Sequence, residues 1–197
     1  MKILLMGNPN VGKSVVFSRL TGVRVIASNY PGTTVGYTRG FMKLGGERVE
    51  VIDVPGTYTL EPTCEAEEIA LRLLETGDAV INVVNATNLE RSLYLTLQLL
   101  ERKVPVVVAL NMWDDTAHRG IHIDVERLRD LLGIPVVPTV ATTGQGIKEL
   151  VESIPMARAP SVPGRFCRCS SARLASQVTR GSITISLEPR LMQSIIQ

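Results

Sequence analysis

Eight residues near the start of the chain, Gly7-Asn8-Pro9-Asn10-Val11-Gly12-Lys13-Ser14, carry its plainest chemical signal. They fit the spacing G-x-x-x-x-G-K-[ST], in which glycines let successive backbone N–H groups curl around an anionic phosphate at a helix N-terminus. In that reading Lys13 neutralises charge on the outer phosphates of a nucleotide, and the Ser14 hydroxyl takes one coordination position on Mg²⁺. A glycine-rich surface turn is the plain alternative for eight residues in isolation. The flanks argue against it: the apolar run Ile3-Leu4-Leu5-Met6 reads as a strand, and Ser14 to Leu20, with Val15 in the first turn, has helical spacing.

Two further stretches have matching chemistry. Val23 to Thr38 holds Asn29-Tyr30-Pro31-Gly32-Thr33-Thr34, polar and turn-rich, and is expected to be a long mobile surface loop. A threonine in such a loop can complete a Mg²⁺ shell when a γ-phosphate is bound. Asp53-Val54-Pro55-Gly56 closes a predicted strand forty residues after Lys13. Asp53 is placed there to hold Mg²⁺ through water, and Gly56 to offer an unobstructed N–H to a γ-phosphate.

Elements that could position these residues alternate along the chain. Tyr37 to Leu44, Gly45-Gly46 and Glu47 to Ile52 read as a β-hairpin. Glu65 to Glu75 and Leu89 to Arg102 have apolar residues at helical spacing, and Asp124 to Leu132 reads as a helix with Asp124 as N-cap. Ala79 to Asn85 and Val104 to Leu110 are near-continuous apolar runs, as strands buried on both faces require. Ile134 to Thr139 supplies a sixth strand and Ile147 to Ile154 a last helix. The fold expected is α/β, of the phosphate-loop nucleotide hydrolase kind, with a doubly wound, mostly parallel six-stranded sheet and one antiparallel strand.

Composition narrows the function classes. With 197 residues, 45% hydrophobic and 20% charged, the chain suits one globular domain with a substantial core. The net charge of +2 argues against a nucleic-acid binder, although residues 161–197 hold five Arg against one Glu and leave the rest mildly acidic. Three cysteines, Cys64, Cys167 and Cys169, lack metal-ligand spacing and fit a reducing cytoplasm. No apolar run reaches the length of a membrane span, so the chain reads as cytoplasmic as written. His118 and His122 are expected in a solvent-facing loop.

After Val104 to Leu110 comes Asn111-Met112-Trp113-Asp114, which resembles the N-K-x-D guanine-recognition motif of GTPases with methionine in the lysine position. A carboxylate at Asp114 can accept from both the N1–H and the N2–H₂ of guanine, a donor pair that adenine lacks. Asn111 can bond the N7 edge or tie loops together. Val140-Ala141-Thr142 occupies the place of the S-A-K base loop, with only the alanine retained.

Together GNPNVGKS, NYPGTTV, DVPGTYTL, NVVNATNLERSLYLTLQLLE and ALNMWD resemble the GTPase domain of the ferrous iron transport protein B family, across about residues 1–155. The block from Asn82 to Glu101 is the most specific part, because generic GTPases do not share it. The resemblance implies GTP hydrolysis to GDP and phosphate, coupled to Fe²⁺ passage through a membrane domain at the cytoplasmic face of a bacterial inner membrane. It makes Thr34 the first-switch threonine on Mg²⁺ and Asn10 a candidate ligand of K⁺. Thr57 stands where many small GTPases carry the glutamine that orients water, so hydrolysis is expected to be slow and helped by potassium.

The sequence departs from the family at Gly36, Asn85 and Val140, and the resemblance ends near Pro160. Residues 1–157 are expected to form the domain, with 158–197 a Ser- and Arg-rich tail, poorly ordered, of the kind a truncated or frame-shifted gene produces. A ribosome-assembly GTPase with an RNA-binding tail and a non-catalytic nucleotide-binding remnant are the competing readings. Association with a second copy of the chain is left open.

Overall fold

A computed structural model describes residues 1–22, 25–30, 33, 35–157 and 196. Among these, seven strands form one sheet: β1 Lys2–Gly7, β2 Val25–Asn29, β3 Gly36–Leu44, β4 Glu47–Asp53, β5 Ala79–Asn85, β6 Val106–Asn111 and β7 Val136–Pro138. Their spatial order is β2-β3-β4-β1-β5-β6-β7. Only β3 runs against the rest, pairing antiparallel with β2 on one side and β4 on the other. The expected α/β architecture with one opposed strand is present. The strand count differs by one, because residues 25–29, expected within a long loop, pair with β3 from Val25↔Gly40 to Asn29↔Gly36. Val25-Ile26-Ala27 is apolar but short and runs straight into the turn-rich residues that follow; the edge of β3 supplies its hydrogen-bond partners.

The connection from β3 to β4 is the two-residue turn Gly45-Gly46, with φ +58° and +89°. Two positive φ values in a row match the right-handed twist of a hairpin and are costly for residues with a Cβ. β6 starts later than expected, at Val106 after Pro105, and β7 is confined to Val136–Pro138 between prolines at its entry and end.

The helices are α1 Lys13–Thr21, α2 Glu65–Leu74, α3 Leu89–Glu101, α4 Trp113–His118, α5 Val125–Leu132 and α6 Ile147–Ser153. Asp124 caps α5 as expected, its Oδ1 accepting from Arg127 N at 2.9 Å. Both histidines are exposed, but His118 ends the short helix α4 and does not lie in a loop.

The two faces of the sheet carry separate cores. Leu4 and Met6 join α2, α3 and α5 on one face, while Ile3 and Leu5 join α1 and α6 on the other. This alternation explains why β1 and β5 read as continuous apolar runs: both faces of each strand are covered, so period-2 polarity is lost. Ile196 forms an antiparallel bridge with Ile123 and packs against the α2/α3 face. The rest of the tail, including Cys167 and Cys169, lies outside the described residues. No described helix is long and apolar enough to cross a membrane.

Leu95, on α3, is fully buried in this core. Leu95→Ala should therefore cost about 2–5 kcal/mol, the range for a large-to-small change that leaves a cavity. Urea unfolding should show a lower midpoint at an unchanged slope; a midpoint equal to the parent's would place Leu95 outside the core that holds α3.

Candidate functional site

The phosphate loop connects the C-terminal end of β1 to α1, and sheet order decides what lies beside it. β1 is flanked by β4 and β5, all parallel, so their C-terminal ends open on one edge. Register places Leu5 opposite Asp53, and the pairing continues beyond the strand ends through Val54 N to Leu5 O, 3.1 Å, and Thr57 N to Gly7 O, 3.2 Å. Asp53-Val54-Pro55-Gly56 is thereby drawn along the phosphate loop. Lys13 Nζ forms an ion pair with Asp53 Oδ1, both side chains 12% exposed, and Ser14 Oγ donates to Asp53 Oδ2 at 3.3 Å. A Cβ on Gly56 would lie 3.2 Å from Pro9 N, so the two segments touch through backbone.

Within the loop, Gly12 has φ +82° and N-caps α1. A Cβ there would come within 2.4 Å of Asn111 Nδ2, so both backbone angle and space demand glycine. Asn10 is exposed, with φ +65°. Val11 is buried and Pro9 exposed, while Val15 stands 41% exposed on the first turn of α1. Asn8 is buried; its Nδ2 faces Arg91 O at 3.5 Å and its Oδ1 has no hydrogen-bond partner among the described residues.

Asn111 ends β6, two strands away from β1. Its Nδ2 donates to Val11 O at 2.9 Å, and its Oδ1 accepts from Ala141 N at 3.0 Å and Thr139 Oγ1 at 3.3 Å. Of the two roles open to this side chain, tying loops together is the one seen. Met112, with φ +61°, turns the chain into α4, and Trp113 N donates to Thr139 O at 3.2 Å. Trp113 packs against the α2/α3 core, while Asp114 stays exposed on the first turn of α4. Val140 and Ala141 are buried and Thr142 is exposed.

The loop read as the first switch is described in part. Thr33 Oγ1 donates to Tyr30 O at 3.1 Å and accepts from Val35 N at 3.3 Å, so its hydroxyl closes a local turn. Gly32 and Thr34 lie outside the described residues. After Gly56, Thr57 is 1% exposed; its Oγ1 donates to Thr59 O at 2.5 Å and lies 3.2 Å from Glu67 Oε1. A threonine so engaged does not face the phosphate loop with a free hydroxyl.

Two residues of this region escaped the reading of the sequence. Arg19, on the last turn of α1, donates through Nε to Ala141 O at 2.9 Å and through its terminal nitrogen to Thr142 O. An arginine at that position reads as an ordinary helix-end charge, so no local signal exposes it. Glu67 at the third position of α2 accepts from Thr63 N at 2.8 Å and Thr63 Oγ1 at 2.7 Å. Here a signal existed, a glutamate three residues after the N-cap Cys64, in the spacing of a capping box. The bonds from Thr63, backbone first, hold the Glu67 carboxyl below its ordinary pKa against a smaller opposing effect of burial.

Comparison with known proteins follows this geometry. Residues 1–154 match the family model described as ferrous iron transport protein B. The Fe(2+) transporter FeoB of Salmonella typhimurium is 47% identical over 156 residues, covering 76% of this chain and 20% of that protein. The chain thus spans about a fifth of the length of such relatives. The cytosolic domain of L. pneumophila FeoB superposes with a TM-score of 0.77 at 37% identity, covering 91% of this chain and 83% of that one. The cytosolic domain of the T. maritima FeoB iron transporter, in a GDP form, superposes with a TM-score of 0.76 at 40% identity, covering 82% and 64%.

The lowered pKa of Glu67 has a defined consequence for stability. Its contribution is fully present above the ordinary carboxyl value near 4.5 and is lost as pH falls through the lower folded value. The melting temperature of the parent should exceed that of Glu67→Gln near neutrality, and the gap should close on acidification below 4.5. A gap that stays constant down to the acid limit would separate Glu67 from the cap.

Proposed function

The chain belongs to the ferrous iron transport protein B family, and from that premise we propose that residues 1–157 are its guanine-nucleotide domain, binding GTP and GDP and hydrolysing GTP. The observation that carries the reading is Asn111: one side chain bonds both the phosphate loop and the Val140-Ala141-Thr142 loop, setting the two halves of a nucleotide site at a fixed separation. Relatives whose structures are described with GDP support the ligand class. The domain would act on the cytoplasmic face of a bacterial inner membrane and regulate a membrane part through which Fe²⁺ passes.

In this mechanism the backbone N–H groups of residues 8–14 and the Lys13 ammonium bind the phosphates, and Lys13 exchanges its pairing with Asp53 for a phosphate oxygen. Ser14 Oγ and Asp53 Oδ2, 3.3 Å apart, are an all-oxygen pair suited to a hard cation that keeps several waters, as Mg²⁺ does. Ser14 would hold Mg²⁺ directly and Asp53 through water, with Thr34 completing the shell; the ion would neutralise charge developing on the transferred phosphoryl group. Gly56 would offer its N–H to the γ-phosphate. Asp114, exposed on the first turn of α4, would read the guanine edge with Met112 as apolar cover, and Thr142 would border the base.

Turnover is slow, because Thr57 is buried and bonded to Thr59 and Glu67 and no side chain at that position orients water. Asn10, exposed in the phosphate loop, would hold K⁺ through its side-chain carbonyl, and the ion would supply charge stabilisation there. Single-turnover hydrolysis should run faster in potassium than in sodium by roughly an order of magnitude, equivalent to about 1.4 kcal/mol. Asn10→Ala should remove that advantage and keep Mg²⁺-dependent binding. Equal rates in the two salts for the parent would end the assignment.

The base site has its own test. Asp114→Asn should weaken GTP binding and shift preference toward xanthosine triphosphate, since an amide donates to the 2-oxo group that xanthine carries. Titrations of GTP, XTP and ATP against the variant decide it: an unchanged preference for GTP would remove Asp114 from the base site.

A further inference from the structure

The block from Asn82 to Glu101, which sets this chain apart from generic GTPases, supplies none of the residues assigned to nucleotide or metal above, yet its helix α3 grips the segment that follows Gly56. Gln98 is 7% exposed and its Oε1 accepts from Leu60 N at 2.6 Å. One turn further, Arg102 donates through a terminal nitrogen to Leu60 O at 3.4 Å. The side chain of Leu60 is 3% exposed within the α2/α3 core. At the other end of the helix, the Arg91 guanidinium lies 4.4 Å from the centroid of the Tyr58 ring, and Arg91 O faces Asn8 Nδ2 of the phosphate loop at 3.5 Å.

These contacts hold two residues of the segment after Gly56, Tyr58 and Leu60. A segment of irregular backbone must find partners for its N–H and C=O groups, and here both polar groups of Leu60 are met by side chains of α3 and of its C-cap residue, Arg102. Four residues upstream, Gly56 touches Pro9 and Thr57 N is bonded to Gly7 O. Fixing Leu60 therefore limits how far Gly56 can drift from the phosphate loop. Removing the Gln98 acceptor would strand a buried N–H and give the segment a reason to move.

We propose that Gln98 of α3, with Arg102, is a positioning residue for GTP hydrolysis: it holds Leu60 by its backbone and so keeps the Gly56 N–H where the γ-phosphate is received. This rests on the nucleotide reading above and adds to it the role of the Asn82 to Glu101 block. GDP lacks the γ-phosphate, so its affinity does not depend on the bracket. The triphosphate does, and the transition state most of all.

Gln98→Leu removes the acceptor at similar volume, and Gln98→Glu restores a carboxylate oxygen that can accept from the same N–H beside Arg102. Hydrogen exchange in nucleotide-free protein should show faster exchange of residues 57–63 in Gln98→Leu than in the parent and in Gln98→Glu. With nucleotide, Gln98→Leu should keep its affinity for GDP, lose preference for a non-hydrolysable GTP analogue over GDP, and fall about tenfold in kcat, the equivalent of one buried hydrogen bond. Gln98→Glu should recover most of that loss. If Gln98→Leu melts too early to assay, Arg102→Met tests the same bracket through the Leu60 carbonyl. Unchanged exchange at 57–63, or a kcat equal to the parent's with the fold intact, overturns the proposal. A parent that neither binds nor hydrolyses GTP instead overturns the nucleotide reading itself.

Discussion

The amide of Asn111 is the interaction on which the arrangement of this site depends. It is 3% exposed, and it joins three segments that the chain delivers separately: the loop after β1, the end of β6 and the turn after β7. A buried amide with both its donor and acceptor ends engaged is strongly directional, because any shift of one segment leaves a polar group unpaired. Gly12 is the counterpart of this constraint, since a Cβ would occupy the space of the Asn111 nitrogen. The two residues are packed as one feature, although 99 positions of sequence order are crossed to bring them together.

Around that tie the sheet sets the distances. Parallel neighbours β4, β1, β5 and β6 end on the same edge, so Asp53 reaches Lys13 and Asn111 reaches Val11 although each partner is distant in sequence. Arg19 adds a second link on the far side of α1, from the helix that begins with Lys13 to the carbonyls of Ala141 and Thr142. Helix α1 and the loop assigned to the base are therefore tied directly to each other. On the opposite face, α3 holds the segment after Gly56. The division is physical: one face of the sheet braces the loop at Val140 to Thr142, the other braces the segment after Gly56.

Much of this was legible in the residues. Strands β1, β5 and β6 announce themselves as apolar runs because they are covered on both faces, and the hairpin by its Gly45-Gly46 turn. The phosphate loop is readable for a related reason: its chemistry uses consecutive backbone N–H groups, so pattern and function occupy the same eight residues. β2 was not legible, since Val25–Asn29 is a strand only because β3 offers it an edge. Helix α4 was likewise hidden, being six residues long and started by a Met112 with positive φ.

What the amino-acid sequence determined by itself is what short-range physics controls: the longer helices and the strands covered on both faces, where the backbone must turn, and which loop can hold a phosphate. Which partner each buried polar side chain takes was decided only in three dimensions. Asn111 reads equally well as a base contact or a loop tie until β6 is placed two strands from β1; Gln98 reads as one polar residue on an apolar helix until Leu60 arrives beside it. Hydrogen bonds act over about 3 Å, and residues separated by tens of positions come that close only through strand order and register.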